Sequence, residues 1–193
     1  MMAHWLKFLS EFISHPGSVG AVWSSSSCLR HHMLEWIDWE CAHVIIEYGP
    51  GTGAFTDHIL SSMRPGTKFF AIEINPAFTQ MLRQRFPSIQ VYQDSVQHVQ
   101  DICRMQGVDQ VDVIISGLPW ALIPDHAQNC YLDATLAVLR PQGQFVTFAY
   151  LTGLLLPEAK RFKTKLNQRF TDVQKSKVSW LNVPPAFVYR CRR

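Results

Sequence analysis

The sequence predicts an α/β fold, a parallel sheet with helices on both faces. Three observations predict it. Strand-like and helix-like segments alternate from residue 43 onward, the order of a sheet whose crossovers lay helices over both faces. The first strand closes on "EYGPGTG" at 47–53, a glycine-rich turn that lets the backbone bend tightly and approach a ligand. Acidic residues, Glu47, Glu73 and Asp94, stand at the ends of three successive strands. The length of 193 residues and a composition 47% apolar suit one domain with a full core, residues 1–38 forming a helical segment and 39–193 the α/β body.

The elements follow in order. "HVIIEYG" (43–49) reads as a buried strand and "TGAFTDHILSSM" (52–63) as a helix. "KFFAIEIN" (68–75) is the second strand, and "PAFTQMLRQRF" (76–86) is a helix with proline at its first position. "IQVYQD" (89–94) is the third strand, with a helix around 95–106 behind it and a fourth strand at 111–116. "DHAQNCYLDATLAVL" (125–139) is a helix that Pro141 and Gly143 bring to a stop. "QFVTFAY" (144–150) is the fifth strand and "PEAKRFKTKLNQRF" (157–170) a basic helix. Two last strands, near 171–180 and 185–191, are joined by "NVPP" and pair antiparallel. Upstream, a helix over 27–38 turns His31 and His32 to solvent.

Several classes drop out. No apolar run reaches the ~18–20 residues that cross a bilayer. The first twenty residues are no signal peptide, because Glu11 and His15 interrupt the stretch and its pattern is periodic. Five scattered cysteines (28, 41, 103, 130 and 191) form no C-x-x-C pair. They read as reduced thiols of a cytoplasmic protein, with no zinc site and no other metal. Charge is uneven. Residues 158–193 hold ten lysines and arginines against two acids, whereas the rest holds eight against thirteen. A basic end on an acidic body suits a polyanionic partner, either a lipid surface or a nucleic acid.

The glycine turn is shared by several nucleotide binders, and three details favour S-adenosylmethionine. The spacing is G-x-G-x-G at Gly49, Gly51 and Gly53, which lacks the pyrophosphate fingerprint. Glu47 would repel a pyrophosphate but suits the ammonium of a methionine moiety. Glu73 follows Gly53 by 20 residues, the place where a carboxylate accepts from ribose hydroxyls. Asp94 can accept from the adenine amine. Pro50, Thr52, Ile74 and Ser95 complete the expected cofactor-binding set beside these residues.

The fourth strand ends in "SGLPW" (116–120). Methyl transfer needs positioning and charge handling more than a dedicated acid or base. Ser116 and the carbonyls of Ser116 and Gly117 can accept hydrogens from a reacting amine. Pro119 stiffens the turn and holds Leu118 extended. Trp120 can offer a face to a planar base or a methylammonium. Tyr150 and His126, near the ends of neighbouring elements, are candidate proton acceptors, and Tyr150 with Trp120 can cage a methylated cation.

These residues resemble Rossmann-like S-adenosylmethionine-dependent methyltransferases over about 40–191, which implies seven strands with the last antiparallel. "SGLPW" resembles the N-L-P-Y loop of rRNA adenine dimethyltransferases, with Ser116-Gly117 in place of the asparagine. It is closer to the S-G-L-P loop of bacterial phospholipid N-methyltransferases. The likeness to that second family extends to both ends. In "FLSEFISHPGSVGAVWSSSSCLRHHM" (8–33), Pro16, Gly20, Ala21, Ser25, Ser26, Leu29 and Met33 match its N-terminal segment. "NVPPAFVYRC" (182–191) matches its ending. The resemblance implies methylation of phosphatidylethanolamine and its partly methylated forms. It also implies that residues 19–33 cover the cofactor, with Ser25 and Ser26 at the methionine carboxylate.

The N-terminus supports a lipid surface independently. Trp5, Leu6, Phe8, Leu9, Phe12 and Ile13 fall on one side of a helix, and His4, Lys7, Ser10, Glu11 and Ser14 mostly on the other. Such a helix lies at the headgroup boundary, and each basic residue nearby adds about 1 kcal/mol on an anionic surface. The expected place is the cytoplasmic face of the inner membrane, peripherally bound. Two alternatives stand beside this one: an RNA adenine methyltransferase, and a soluble small-amine methyltransferase whose N-terminal helix is a lid. Nucleic acid is the less favoured partner, because the rRNA enzymes carry an additional C-terminal helical domain that nothing in this sequence matches.

Overall fold

A computed structural model describes residues 27–193. The amphipathic helix expected before residue 15, and Ser25 and Ser26, lie outside the described residues. The chain runs α1 (Ser27–Leu34), β1 (Val44–Tyr48), α2 (Thr56–Ser62), β2 (Lys68–Ile72), α3 (Pro76–Arg85), β3 (Gln90–Tyr92) and α4 (Val99–Met105). It continues through β4 (Val111–Ser116), α5 (Asp125–Val138), β5 (Leu139–Tyr150), α6 (Pro157–Arg169), β6 (Asp172–Lys175) and β7 (Ala186–Arg192). Short 3-10 turns lie at Val96–His98, Trp120–Leu122 and Thr152–Leu155.

The seven strands form one sheet in the order β3-β2-β1-β4-β5-β7-β6. Strands β1 to β5 pair parallel. Strand β7 runs antiparallel to both β5 and β6. This is the Rossmann-like arrangement the sequence implied, including the reversed last strand. The strand order turns back between β1 and β4, so the crevice that binds ligands in open α/β sheets opens at their C-terminal ends.

Alternation along the strands builds two cores. Ile46 and Tyr48 of β1, Ile114 of β4, Phe145 of β5 and Phe187 and Tyr189 of β7 face one side, where α4, α5 and α6 bury Ile102, Leu132, Phe162 and Leu166. Ile45, Val113, Ile115, Val146 and Val188 face the other, under Leu29 and Met33 of α1 and Ile59 of α2. A strand covered on both faces has no polar side to show, which is why β4 is buried at every position. Arg190 fixes α1 to this second face: its guanidinium lies 3.4 Å over the Trp36 ring and pairs with Glu35.

Several boundaries differ from the sequence reading. The helix expected from residue 52 starts at Thr56, because residues 51–55 form a turn first. The helix over 27–38 ends at Leu34, and the sixth strand spans only Asp172–Lys175. Pro141 and Gly143 do not stop α5. Leu139 already pairs with Val111, the chain bulges, and Gln144 resumes opposite Val113. Gln142 sits at φ +63 in that bulge. Asp112 holds the neighbourhood together: its carboxylate accepts from the amides of His43 (2.8 Å) and Val44 (2.7 Å) and pairs with Arg140. Buried backbone donors need such partners, so one acid of β4 sets both the start of β1 and the bulge entering β5.

Candidate active site

Two adjoining hollows lie along the C-terminal edge of the sheet, and Gly49 lines both. The first is walled by the turn Gly49–Thr52 with Phe55, Gly117, Phe148, Tyr150 and Asn182. The second is walled by Glu73, Ile74, Asp94, Ser95, Leu118 and Pro119, with Ile123 and Tyr131 behind them.

The glycine turn is held from beneath by an acid. Glu73, directly after β2, is 6% exposed. Its Oε2 accepts from the Gly51 amide at 3.0 Å and its Oε1 from the Asn75 amide at 2.8 Å. Burial raises its pKa, and these backbone bonds oppose the rise. Gly51 itself sits at φ +56, and a Cβ there would meet no protein atom within 4 Å. The positive φ calls for glycine, and the open space beside it belongs to the first hollow.

Glu47 lies deeper than the sequence suggested. It is wholly buried and lines neither hollow. Its Oε2 accepts from the Thr56 hydroxyl at 2.7 Å, while Oε1 is buried with no partner among the described residues. Burial pushes its pKa up to about 8, the Thr56 bond lowers it somewhat, and the nearby Glu73 raises it. An unpaired buried carboxyl is costly unless something completes it. A cation bound near the glycine turn would do so.

Asp94 is half-buried in the wall of the second hollow. Its Oδ1 accepts from the Ser95 amide and meets His98 Nδ1, both at 2.7 Å. The His98 bond is the main reason its pKa lies below the usual carboxylate range. The Ser95 hydroxyl caps the 3-10 turn that follows.

The SGLPW loop packs directly on the glycine turn. The Gly117 amide donates to Tyr48 O at 2.7 Å. A Cβ on Gly117 would stand 2.5 Å from the Gly49 carbonyl oxygen, so only glycine permits this approach. Ser116 is wholly buried. Its hydroxyl accepts from Trp120 Nε1 at 3.0 Å, and its carbonyl accepts from Thr147 Oγ1 at 3.0 Å. It therefore shapes the loop from inside and reaches neither hollow. Trp120 corrects the reading most. It is 2% exposed, stacked on Phe162 at 4.5 Å and edge-on to Tyr131 and Phe145. An indole packed this way has no face left for a base or a methylammonium. It anchors the loop to the core.

Tyr150 does line the first hollow, edge-on to Phe148 at 5.3 Å. Burial raises its pKa above the ordinary phenol value. His126 is exposed on α5 and lines neither hollow. Phe148 and Phe55 supply the aromatic wall expected of Trp120. Phe148 was discoverable, since it lies two residues before Tyr150 on the same strand face. Asn182 opens the "NVPPAFVYRC" ending that resembles the phospholipid N-methyltransferases, but neither it nor Tyr131 signals locally that it reaches the site, since tertiary packing brings both to the edge.

A family model described as a methyltransferase domain matches residues 45–143, from β1 to the bulge entering β5. The chain belongs to the methyltransferase domain family. An ornithine lipid N-methyltransferase of Singulisphaera acidiphila is 30% identical to it over 194 residues, covering 99% of this chain and 97% of that one. Among solved structures, an O-methyltransferase from Bacillus cereus in complex with SAH aligns with TM-score 0.71 at 13% identity, over 96% of this chain and 90% of that one. The O-methyltransferase TomG from Streptomyces achromogenes, in complex with SAM, aligns with TM-score 0.62 at 17% identity, over 86% and 76% of the two chains. At such identity these two share the fold.

S-adenosylmethionine is the methyltransferase's cofactor, and when bound it supplies a methyl group on a sulfonium sulfur. The residues present fit it. The second hollow offers the Glu73 and Asp94 carboxylates between apolar walls, which suits a nucleoside. The buried unpaired oxygen of Glu47 and the open cradle at Gly51 suit a cationic moiety beside the glycine turn.

Proposed function

We propose that this methyltransferase is an N-methyltransferase acting on the primary amine of a membrane lipid at the bilayer surface. The end-to-end match to an ornithine lipid N-methyltransferase carries the reading, since it covers 99% of this chain. The resemblance of SGLPW and of both ends to phospholipid N-methyltransferases favours phosphatidylethanolamine and its methylated forms. The relative's name favours an ornithine lipid as the second candidate. In either case Glu73, Ile74, Asp94 and Ser95 hold the nucleoside end of the cofactor. Pro50, Gly51 and Thr52 hold the other end, with Ser25 and Ser26 contributing from the N-terminal segment.

The first hollow then receives the amine. A lipid ammonium titrates near 10.4, as lysine does, and only its neutral form attacks. The low-polarity wall of Phe55, Phe148 and Tyr150 favours losing the proton. Tyr150 stays a neutral phenol there, since burial raises its pKa, so it orients the amine rather than acting as a phenolate base. As methyls accumulate, the same aromatic faces attract the growing ammonium. Gly117 lines the same hollow, and its carbonyl can accept from the amine.

Among the described residues no helix is long and apolar enough to cross a membrane, and the proposed attachment is peripheral, on the inner face. The test is transfer of label from S-adenosylmethionine to vesicles of phosphatidylethanolamine, to vesicles of ornithine lipid, and to RNA in parallel. Label in either lipid phase supports the reading and names the headgroup. Label in neither, with cofactor still bound, rejects it in favour of a soluble amine, and label in RNA rejects it outright.

A further inference from the structure

We propose that an apolar rim beside the first hollow, formed by Trp180, Leu181 and Val183 with Leu155 and Leu156, inserts into the headgroup boundary of an anionic bilayer and so sets the hollow's mouth against its lipid substrate. The inference rests on the lipid reading for its purpose, though not for its test.

These side chains are conspicuously uncovered. Trp180 is 70% exposed, Leu181 85%, Val183 67% and Leu155 82%. Single exposed apolar residues are ordinary on any surface, but a cluster is not. Topology brings the two segments that carry them to one edge. Tyr150 at the end of β5 pairs with Ala186 at the start of β7. The chain leaving β5 and the chain entering β7 therefore leave the sheet at one edge. The Leu151 amide donates to Pro185 O at 2.9 Å and ties the two segments together. That edge is the one bearing both hollows. Asn182, between Leu181 and Val183, lines the first hollow together with Tyr150. The rim is thus part of the mouth.

Charge decides what covers it. Lys160, Arg161 and Lys163 are exposed on α6 just after Leu156, and Lys175 and Lys177 are exposed just before Trp180. Lys175 lies 5.2 Å over the Phe187 ring, and burial and then the Lys163 charge lower its pKa. Lysines from the two segments therefore share one patch. Aromatic and aliphatic tips flanked by lysines match an anionic interface, the tips entering the acyl boundary and the cations meeting headgroup phosphates. A second protein seated on the rim would cover the hollow's mouth, whereas a bilayer brings the amine to it.

The experiment uses vesicles containing anionic phosphatidylglycerol and, for all but the quenching, the full chain. Lipid brominated near the headgroup should quench fluorescence in a chain lacking residues 1–14, and Trp180→Phe in that background should lose most of the quenching. Trp180→Ser/Leu181→Ser should partition onto vesicles about tenfold or more weakly, with cofactor affinity unchanged. Its transfer to lipid amine in vesicles should fall, while transfer to the same lipid dispersed in detergent micelles persists. Vesicle partition equal to the wild type, or quenching unaltered in Trp180→Phe, overturns the inference. The rim is then covered by protein, either residues 1–26 or a second copy. A wild type that binds vesicles through Trp180 yet methylates no lipid would sink the substrate reading alone.

Discussion

Glu47 shows how a single buried group couples stability to binding. Burial pushes its carboxyl up to about 8 in the fold, from an ordinary value of 4.5. Between those values the unfolded chain has released the proton and the folded chain still holds it. The folded state binds more protons, so stability falls as pH rises through that window. Glu47→Gln cannot ionise. It should raise the melting temperature of the cofactor-free protein at pH 8.5 by roughly 3 °C or more and change it little at pH 5. A cation nearby favours the ionised carboxylate. Cofactor binding by the wild type should therefore release a proton and tighten from pH 6 to 8, whereas Glu47→Gln should bind weakly at both. Calorimetry in buffers of different ionisation enthalpy reads the proton directly.

At the scale of elements, the site is two loops in contact, the glycine turn after β1 and SGLPW after β4. Gly117→Ala puts its Cβ against the Gly49 carbonyl oxygen, 2.5 Å away, and the Tyr48 carbonyl oxygen, 3.4 Å away. Both obstacles are backbone and cannot swing aside. Overpacking of this kind costs about 1–3 kcal/mol, so this variant should lose both thermal stability and cofactor affinity. Gly51→Ala meets no protein atom within 4 Å and carries only the cost of its positive φ, about 1–2 kcal/mol. It should lose cofactor affinity by at least tenfold with a smaller drop in melting temperature. Paired melting and binding measurements separate the two. The burial of Trp120 belongs to the same scale. Stacked on Phe162 of α6, it couples the loop's position to that helix.

At the scale of the molecule, the proposed cofactor contacts lie within the sheet edge and the proposed lipid contacts on the rim and basic surface around it. Glu73→Ala removes the acceptor of two backbone amides as well as the expected ribose contact, and bonds to a charged group are worth about 1.5–3 kcal/mol each. It should weaken cofactor binding ten- to a hundredfold, on that scale, and leave vesicle binding intact. Deleting residues 1–14 should do the reverse, weakening vesicle co-sedimentation while cofactor affinity holds. If the deletion abolished cofactor binding, the N-terminus would be a lid. The basic end from residue 158 onward predicts that vesicle binding also falls as salt rises, since exposed charges are screened within about a Debye length.

Periodicity and turn chemistry alone determined the sheet and its flanking helices, and marked the edge where the glycine turn and the acids stand. Alternating apolar runs, the glycines at 49, 51 and 53 and acids at strand ends are local signals, because strand pairing and tight turns impose them residue by residue. The reversed last strand came from family likeness, and the structure bears it out in the pairing of β7 with β5. Tertiary structure decided the rest. Trp120 faces the core because Ser116 and Phe162 hold the indole there. Ser116 is spent on that loop, Glu47 lies beneath the turn, and Phe55, Phe148 and Asn182 wall the first hollow. Pro141 and Gly143, local stop signals, yielded to pairing of Leu139 with Val111. Which face a side chain takes at the end of a strand depends on what packs opposite it, and those partners lie far away in sequence.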